Sequence, residues 1–289
     1  MRRGRIPAVV PPSTIDKVTP VLLIESRAEA STRDLPWTTH PNQSVLEFNI
    51  MVDRHGISLI QFMVENDLLG EGVTLGHLIV PDLSSWVGWH SNLDVELLGG
   101  TVTGVAHYPT PFMRPGTTLE VLERHLDAGV VLGIGPDTIP HDFIEDMRFA
   151  TILARVAEHD GNTAKTGDVF NVGTAGGAKA LMRNDIGRLA VAAKADIVVI
   201  DCNHPMMLPS RDPLMCLIHS AADRALKDVY IDGIQTVCDL ECMTLDRQVA
   251  AEKIVDGQAR METAVEGTDF FGRTSQEIAP LSLPVTEPG

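Results

Sequence analysis

The chain has few basic residues for its length. It carries 23 Lys and Arg against 39 Asp and Glu among 289 residues, which gives a formal net charge of −16 and a pI near 4.9. A protein that binds nucleic acid needs an excess of Lys and Arg to neutralise phosphates, so this composition argues against a nucleic-acid partner. A small neutral or cationic substrate is compatible with such a charge.

Long apolar runs and paired cysteines are also missing. No segment approaches the roughly 18 apolar residues that a membrane-spanning helix needs, so we expect a soluble protein without a membrane partner. The cysteines form no CxxC pair, which argues against a zinc ribbon and favours a reduced, cytoplasmic setting. There are four of them, Cys202, Cys216, Cys238 and Cys242.

Short apolar runs alternate with longer amphipathic runs through the first two thirds of the chain. This alternation is typical of βαβ units and predicts an α/β protein with a parallel sheet. Helices are predicted between the strands. The five predicted strands are Arg5–Val10, Leu35–His40, Val73–Ile79, Thr103–Tyr108 and Val130–Ile134.

From Gly187 the pattern changes. Lys194–Asp201 and Val229–Ile234 are predicted strands that lack the earlier strand–helix alternation. We therefore predict two units, residues 1–186 and a β-rich unit with an irregular tail over residues 187–289.

A helix of small residues is predicted just before this boundary, over Asn171–Met182. Gly176 and Gly177 lie in its middle, where glycine costs helix stability and normally marks a turn. Their presence inside a helix indicates close packing against a neighbouring element.

An acidic residue ends one of the apolar strands. The run Val130–Asp137 is apolar, passes through two glycines and ends in the carboxylate of Asp137. An ionised carboxylate at the end of a buried strand is costly unless a cation or hydrogen-bond donors meet it. In a (β/α) barrel this rim holds the active site. A helical run, Phe143–Ala157, follows soon after, so Asp137 could instead be the N-cap of that helix. Taken alone, Asp137 is equally compatible with an active-site residue and with an N-cap.

Histidines occupy the other strand ends. His40 and His77 end two predicted strands, and His107 lies near the end of a third. A single histidine on an apolar strand is more often a hydrogen-bonded core residue than a ligand. Four such groups converging on one rim favour a hydrolytic metal site, because imidazole and carboxylate bind borderline cations.

Seven segments follow one another in a characteristic order: Thr38–His40, Gly72–His77, Val105–Pro109, Gly133–Asp137, Thr174–Leu181, Asp185–Leu189 and Ala192–Asp201. This order resembles the amidohydrolase superfamily, in its branch of cytosine-deaminase-like, S-adenosylhomocysteine-deaminase-like and triazine-chlorohydrolase-like enzymes. The similarity covers most of the chain, and its last three segments are the most specific.

The resemblance implies a TIM-type (β/α)8 barrel, followed by a small β-rich unit of a composite β-sandwich. It implies one divalent metal ion, zinc or iron, and hydrolysis of a non-peptide carbon–nitrogen or carbon–halogen bond in a small heterocycle. His40 and Asp137 would bind the metal, and Asp137 would also accept a proton from the attacking water. His77 would act as an acid, base or electrophile. Gln43 and His107 would line the substrate side.

The N-terminal part of the family pattern is missing. The signature His-x-His is absent, since no two of the ten histidines are two residues apart. The first predicted strand, Arg5–Val10, would be about the fourth of the eight barrel strands, so we expect a partial barrel of about strands four to eight. A truncated product, a second chain that supplies the missing half, or a fold closed by oligomerisation would explain this. An open sheet edge favours a homo-oligomer.

Two further departures lie near the predicted site. Gln43 stands where relatives commonly have a glutamate, and a neutral amide cannot move protons at pH 7. Pro109-Thr110-Pro111 replaces a usual Ser-Asn pair. Catalytic zinc sites normally have three protein ligands, so a chain with two is predicted to bind metal poorly and turn over slowly.

Two hypotheses of different classes follow. The first is a metal-dependent hydrolase of the deaminase or chlorohydrolase type. The second is a catalytically dead half-barrel that serves as an oligomerisation or interaction module.

Overall fold

A four-stranded parallel sheet organises the first part of the molecule. The computed structural model describes residues 8–283. The strands lie in the order β1-β2-β3-β4, and each pairs in parallel with the next. The prediction of an α/β chain with a parallel sheet is therefore confirmed. The strands β1 to β4 are Trp37–Thr39, Val73–Gly76, Gly104–His107 and Val131–Ile134.

Helices connect these strands. Short polar side chains begin several of them: Ser44, Ser58 and Asp142 each accept backbone N–H groups from the first turn of the helix that follows. The helices α1 to α7 are Pro20–Thr32, Val45–His55, Leu59–Glu65, Asp94–Gly99, Pro109–Met113, Leu122–Asp127 and Phe143–Glu158.

The predicted strand Arg5–Val10 lies mostly outside the described residues. Within them, Val10 forms an isolated parallel bridge with Trp37, and Thr14 forms another with His40. The chain between Val10 and Thr14 therefore runs parallel to β1, but among residues 8–283 it pairs only at these two points.

One face of the sheet packs against the connecting helices. Because side chains alternate between the faces of a strand, Leu75, Val105 and Leu132 point to the same side, and they are 0%, 0% and 3% exposed. They belong to a core that also holds Trp37 and Phe48. Burying such side chains is the main stabilising contribution to the sheet.

The small-residue segment covers the other face. It consists of α8 (Thr166–Asn171), a π-helical turn (Val172–Gly176) and α9 (Gly177–Ala180). The Thr74 hydroxyl donates to the carbonyl of Ala180 over 2.8 Å, and a Cβ on Gly133 would lie 3.1 Å from the Cα of Gly177. The predicted close packing is confirmed at Gly176, where an added Cβ would clash with the carbonyl oxygen of Leu132. At Gly177 an added Cβ would make only an ordinary contact, 3.6 Å from the carbonyl oxygen of Val172.

The second sheet is antiparallel. Its strands β5 to β8 pair in sequence order. The two strands predicted in this region are present as β5 and β6, and no residue of the sheet is buried. The strands are Ile197–Ile200, Leu226–Ile231, Ile234–Cys238 and Glu241–Cys242.

Helical turns between β5 and β6 contact the first part of the molecule. They include α10 (Pro213–Cys216) and a π-helical turn, Leu217–Ala221. Arg148 of α7 donates to the carbonyl of Ile218 over 2.7 Å, and Ile218 is fully buried in the main core. These contacts link residues before position 187 to residues after it. The division of the chain into two units at residues 186 and 187 stays a prediction.

Two helices follow β8, α11 (Arg247–Thr268) and α12 (Ser275–Ile278). The expectation of an irregular tail was wrong at α12. The helix α11, which has no buried residue, was not predicted. Local interactions explain it: Asp246 caps two N–H groups of its first turn, and Gln–Glu pairs bridge its turns. No helix within residues 8–283 has the length and apolar character needed to cross a membrane.

Candidate functional site

Three predicted site residues lie at one edge of the parallel sheet. His40 directly follows β1, His77 directly follows β2, and Asp137 comes three residues after β4. The carboxyl ends of parallel strands meet at the same edge, so the topology collects these side chains there. The imidazoles of His40 and His77 are stacked, with ring centroids 5.1 Å apart and an interplanar angle of 29°.

His77 is the buried member of this group. Its side chain is 6% exposed, and burial lowers the pKa of His77 to about 4, although the charge of Asp137 opposes this shift. The imidazole is therefore neutral near pH 7. Its Nδ1 atom is buried and has no hydrogen-bond partner among the described residues.

The backbone at these strand ends adopts a conformation that is uncommon for residues other than glycine. The φ angles of His77, Leu78 and Asp137 are 73°, 51° and 54°, in the left-handed region. Such residues cost free energy and often occur at functional sites. Here they turn the chain sharply after β2 and β4, which leaves the His77 and Asp137 side chains at the edge.

The turn after β1 is bonded to the turn after β2. The carbonyl of Asn42 accepts the N–H groups of Ile79 and Val80, each over 3.0 Å. Glu47 holds the same turn, because its Oε2 accepts the N–H of Gln43 over 2.7 Å. Burial raises the pKa of Glu47 to about 7. Gln43 is half-buried in this turn, near His40, and its role on the substrate side stays a prediction.

Two aromatic residues contact His77. The rings of Tyr108 and Phe112 meet it edge-on, with centroid distances of 5.1 Å and 5.0 Å. Burial and the charge of Asp137 raise the pKa of Tyr108. Neither residue was among the predicted site residues. The position of Tyr108 directly after His107, at a strand end, is the signal that could have identified it.

The structure encloses His107. Its side chain is 2% exposed, and burial lowers its pKa to about 3, with His125 and His77 contributing. His107 shares the helix-facing side of β3 with Val105, because side chains two residues apart point the same way. Its predicted role at the substrate side stays a prediction, and in this structure the ring lies in the interior.

The side chains at this edge could supply some of the ligands of a metal ion. Imidazole nitrogens and a carboxylate are ligands that suit zinc and similar cations, and His40 and Asp137 are exposed. The unpartnered Nδ1 of His77 is a further buried polar atom at the same place. However, residues 8–283 contain no group of three or more His, Cys, Asp or Glu side chains placed to hold a metal ion. The described residues therefore supply an incomplete shell.

Two cavities lie elsewhere among the described residues. One cavity of about 540 Å³ lies between residues 15–20 and the helices α2 and α3. Another of about 340 Å³ lies beside α9. Neither is lined by His40, His77 or Asp137.

The sequence model of the Amidohydrolase family matches residues 7–236. The chain belongs to the amidohydrolase family. Among curated relatives of this amidohydrolase, the 5-methylthioadenosine/S-adenosylhomocysteine deaminase of Natronomonas pharaonis is 28% identical, over 91% of this chain and 60% of the relative. The protein of the same name from Haloarcula marismortui is 30% identical, over 91% of this chain and 57% of the relative. The chain thus spans less than two thirds of the length of these relatives.

Solved structures share the amidohydrolase fold. An adenosine deaminase from Xanthomonas campestris with bound zinc superposes with a TM-score of 0.79 at 22% identity, over 88% of this chain and 57% of the other. A mutant atrazine chlorohydrolase from Arthrobacter aurescens, complexed with zinc and atraton, gives a TM-score of 0.75 at 21% identity, over 88% and 54%. At these identities the likeness establishes the fold.

Proposed function

We propose that this amidohydrolase-family chain carries part of a hydrolase site for a carbon–nitrogen bond in a small nucleoside-like heterocycle. The observation that carries the proposal is the convergence of His40, His77 and Asp137 on one sheet edge, with the first two rings 5.1 Å apart. The names of the curated relatives and of the zinc-bound adenosine deaminase support deamination. The atrazine chlorohydrolase makes carbon–halogen hydrolysis the alternative within the same class.

Each side chain has a distinct role in this proposal. His40 and Asp137 would hold a divalent cation, zinc in the first place, and the cation would supply Lewis-acid activation of water. Asp137 would take a proton from the attacking water and return it to the departing nitrogen. His77, neutral because of its burial, would accept or donate a hydrogen bond near the reacting carbon. Gln43 would contact the substrate as a hydrogen-bonding amide.

We infer that the parallel sheet is part of an eight-stranded barrel. In this interpretation β1 to β4 are strands five to eight, and the segment Val10–Thr14 beside β1 is strand four. The antiparallel sheet would be one portion of a composite β-sandwich, and residues 1–186 and 187–289 would be the two units. The missing metal ligand would then come from protein outside the described residues. This explains why the residues present make an incomplete shell.

A second candidate function is an oligomerisation or interaction module without catalysis. The observation in its favour is the antiparallel sheet β5 to β8, whose residues are all partly or fully exposed. Large apolar side chains such as Ile234 (54% exposed) and Leu240 (58% exposed) lie in or beside it. Where exposed apolar side chains form one contiguous patch they mark an interaction surface, and a homo-oligomer would cover these residues.

The test is ammonia release from 5′-methylthioadenosine and S-adenosylhomocysteine by the full chain with added zinc. We expect slow release, far below the roughly 10 s⁻¹ of a typical enzyme, and its loss in Asp137→Asn. Gln43→Glu should raise the rate, because it places a group that can transfer protons three residues after His40. General acid–base catalysis contributes about 10²- to 10⁴-fold.

Two results would contradict the proposal. Release that is unchanged in Asp137→Asn would show that the edge does not carry the reaction. No release from either compound, in the unmodified chain and in Gln43→Glu alike, would favour the interaction module instead. Circular dichroism of each variant controls for folding.

A further inference from the structure

We propose that the hydroxyl group of Tyr108 donates a hydrogen bond to a ring nitrogen of the heterocycle, next to the carbon that water attacks. This inference rests on the proposed function and names a contact that the family resemblance did not supply.

The Tyr108 ring is fixed between His77 and the strand end that leads to Asp137. It meets the His77 imidazole edge-on, with centroids 5.1 Å apart and an interplanar angle of 60°. On its other side lies Gly135, where an added Cβ would come within 2.8 Å of the Tyr108 Cε1 atom. Gly135 therefore leaves space that the ring fills, two residues before the proposed proton acceptor.

The segment after Tyr108 is anchored away from the edge. Pro109 begins α5, and the Thr110 hydroxyl donates to the carboxylate of Asp146 on α7, a residue with no exposed surface. Phe112, one helical turn later, contacts His77 from another side, with a centroid distance of 5.0 Å. These contacts hold the backbone of α5, so the Tyr108 ring is positioned before any ligand arrives.

The hydroxyl group itself is unengaged within the described residues. No hydrogen bond joins it to another described side chain or backbone group, and it is not among the buried unpartnered polar atoms. Tyr108 as a whole is half-buried. A fixed ring with an accessible hydroxyl is a preorganised donor, which loses little conformational entropy when it binds.

The amide of Gln43 can donate a hydrogen bond but cannot transfer a proton, so a further fixed donor at this edge would add to the stabilisation of the substrate. Hydrolysis at a carbon of an aromatic heterocycle places electron density on the adjacent ring nitrogen, and a hydrogen bond to that nitrogen stabilises it. Asp137 fixes where the attacking water lies in the proposed function. The ring nitrogen is one covalent bond from the attacked carbon, so the Tyr108 phenol, whose ring lies against Gly135 two residues before Asp137, is suitably placed. A neutral phenol donates this hydrogen bond without having to ionise.

The experiment compares two probes that differ only in this acceptor. They are 5′-methylthioadenosine and its 1-deaza analogue, in which the ring nitrogen beside the amino-bearing carbon is replaced by C–H. Their dissociation constants are measured by equilibrium dialysis on the full chain with zinc. The variant is Tyr108→Phe, which keeps the ring. The matched control is Tyr230→Phe in β6, the only other tyrosine of the chain.

We expect the unmodified chain to bind the parent nucleoside about 5-fold more tightly than the analogue, as for one hydrogen bond of about 1 kcal/mol. Tyr108→Phe should weaken only the parent and make the two constants equal, whereas Tyr230→Phe should keep the difference. A general loss of packing would weaken the binding of both probes equally. The ratio of the two dissociation constants therefore reports the effect of the hydroxyl group alone. Near-UV circular dichroism verifies that the variant folds.

Two outcomes would overturn the inference while leaving the proposed function in place. They are a preference for the parent that persists in Tyr108→Phe, and binding of both probes by the unmodified chain with no preference. If the unmodified chain binds neither probe in the presence of zinc, the proposed function fails as well.

Discussion

A buried pair of aspartates, one in the segment after β2 and the other at the start of α4, gives a pH-dependent stability that can be measured. Asp82 and Asp94 are 1% and 0% exposed. Asp94 accepts the N–H of Asp82 over 2.9 Å, and it also accepts the hydroxyl proton of Ser58, the N-cap of α3. Burial, and then the charge of Asp82, raises the pKa of Asp94 to about 7.

A raised pKa means that the folded chain binds a proton that the unfolded chain has released. The contribution of Asp94 to stability is fully present below the unfolded pKa of 3.8 and is lost as the pH rises through about 7. At about 1.4 kcal/mol for each pH unit, this interval corresponds to about 4 kcal/mol of unfolding free energy. The loss at higher pH reflects the cost of ionising a carboxyl in a low dielectric beside another carboxylate.

Urea unfolding of the unmodified chain and of Asp94→Asn, from pH 4.5 to pH 8, tests this. Asparagine keeps an oxygen that accepts from Ser58 but loses the acceptor for the Asp82 N–H, at a cost that does not vary with pH. The stability of Asp94→Asn relative to the unmodified chain should therefore increase by about 3 kcal/mol between pH 4.5 and about pH 7, and should level off above that pH. Two parallel stability curves would refute the assignment of a raised pKa to Asp94.

Two further substitutions test the contacts that position Tyr108 and the helix α5 near His77. Gly135→Ala should displace the Tyr108 ring, because the new Cβ would lie 2.8 Å from it, and should weaken 5′-methylthioadenosine binding in dialysis. Gly161→Ala, where a Cβ meets nothing within 4 Å, is the matched control and should bind normally. Thr110→Val should lower the urea-unfolding free energy by about 1–3 kcal/mol, because it removes a hydrogen-bond donor from the buried Asp146 carboxyl. Equal stability would contradict that role.

The strand ends could be predicted because their signals are local. Apolar runs that stop in His40, His77 and Asp137 predicted a shared edge, and parallel pairing brings the three together. The packing of Gly176 against the sheet was predicted in the same way, since glycine lowers helix stability and lies inside a helical run mainly where a larger side chain would not fit.

The rest depends on contacts between residues far apart in sequence. The position of Tyr108 over Gly135, and the burial of His107, follow from how β3, β4 and α5 pack together, which no local pattern records. The helix α11 was missed for the opposite reason. It buries no apolar face, so the periodicity used to recognise helices is weak there, and capping with good helix formers is what stabilises it.

Zinc binding measured by competition with a chromogenic chelator tests the central claim most directly. The account predicts that the full chain binds zinc weakly, and that His40→Ala and Asp137→Ala each abolish this binding. His55→Ala should leave it unchanged, because His55 lies against Phe62 instead of at the sheet edge. Zinc affinity that is the same in the unmodified chain, His40→Ala and Asp137→Ala would contradict the account, and so would no binding at millimolar zinc.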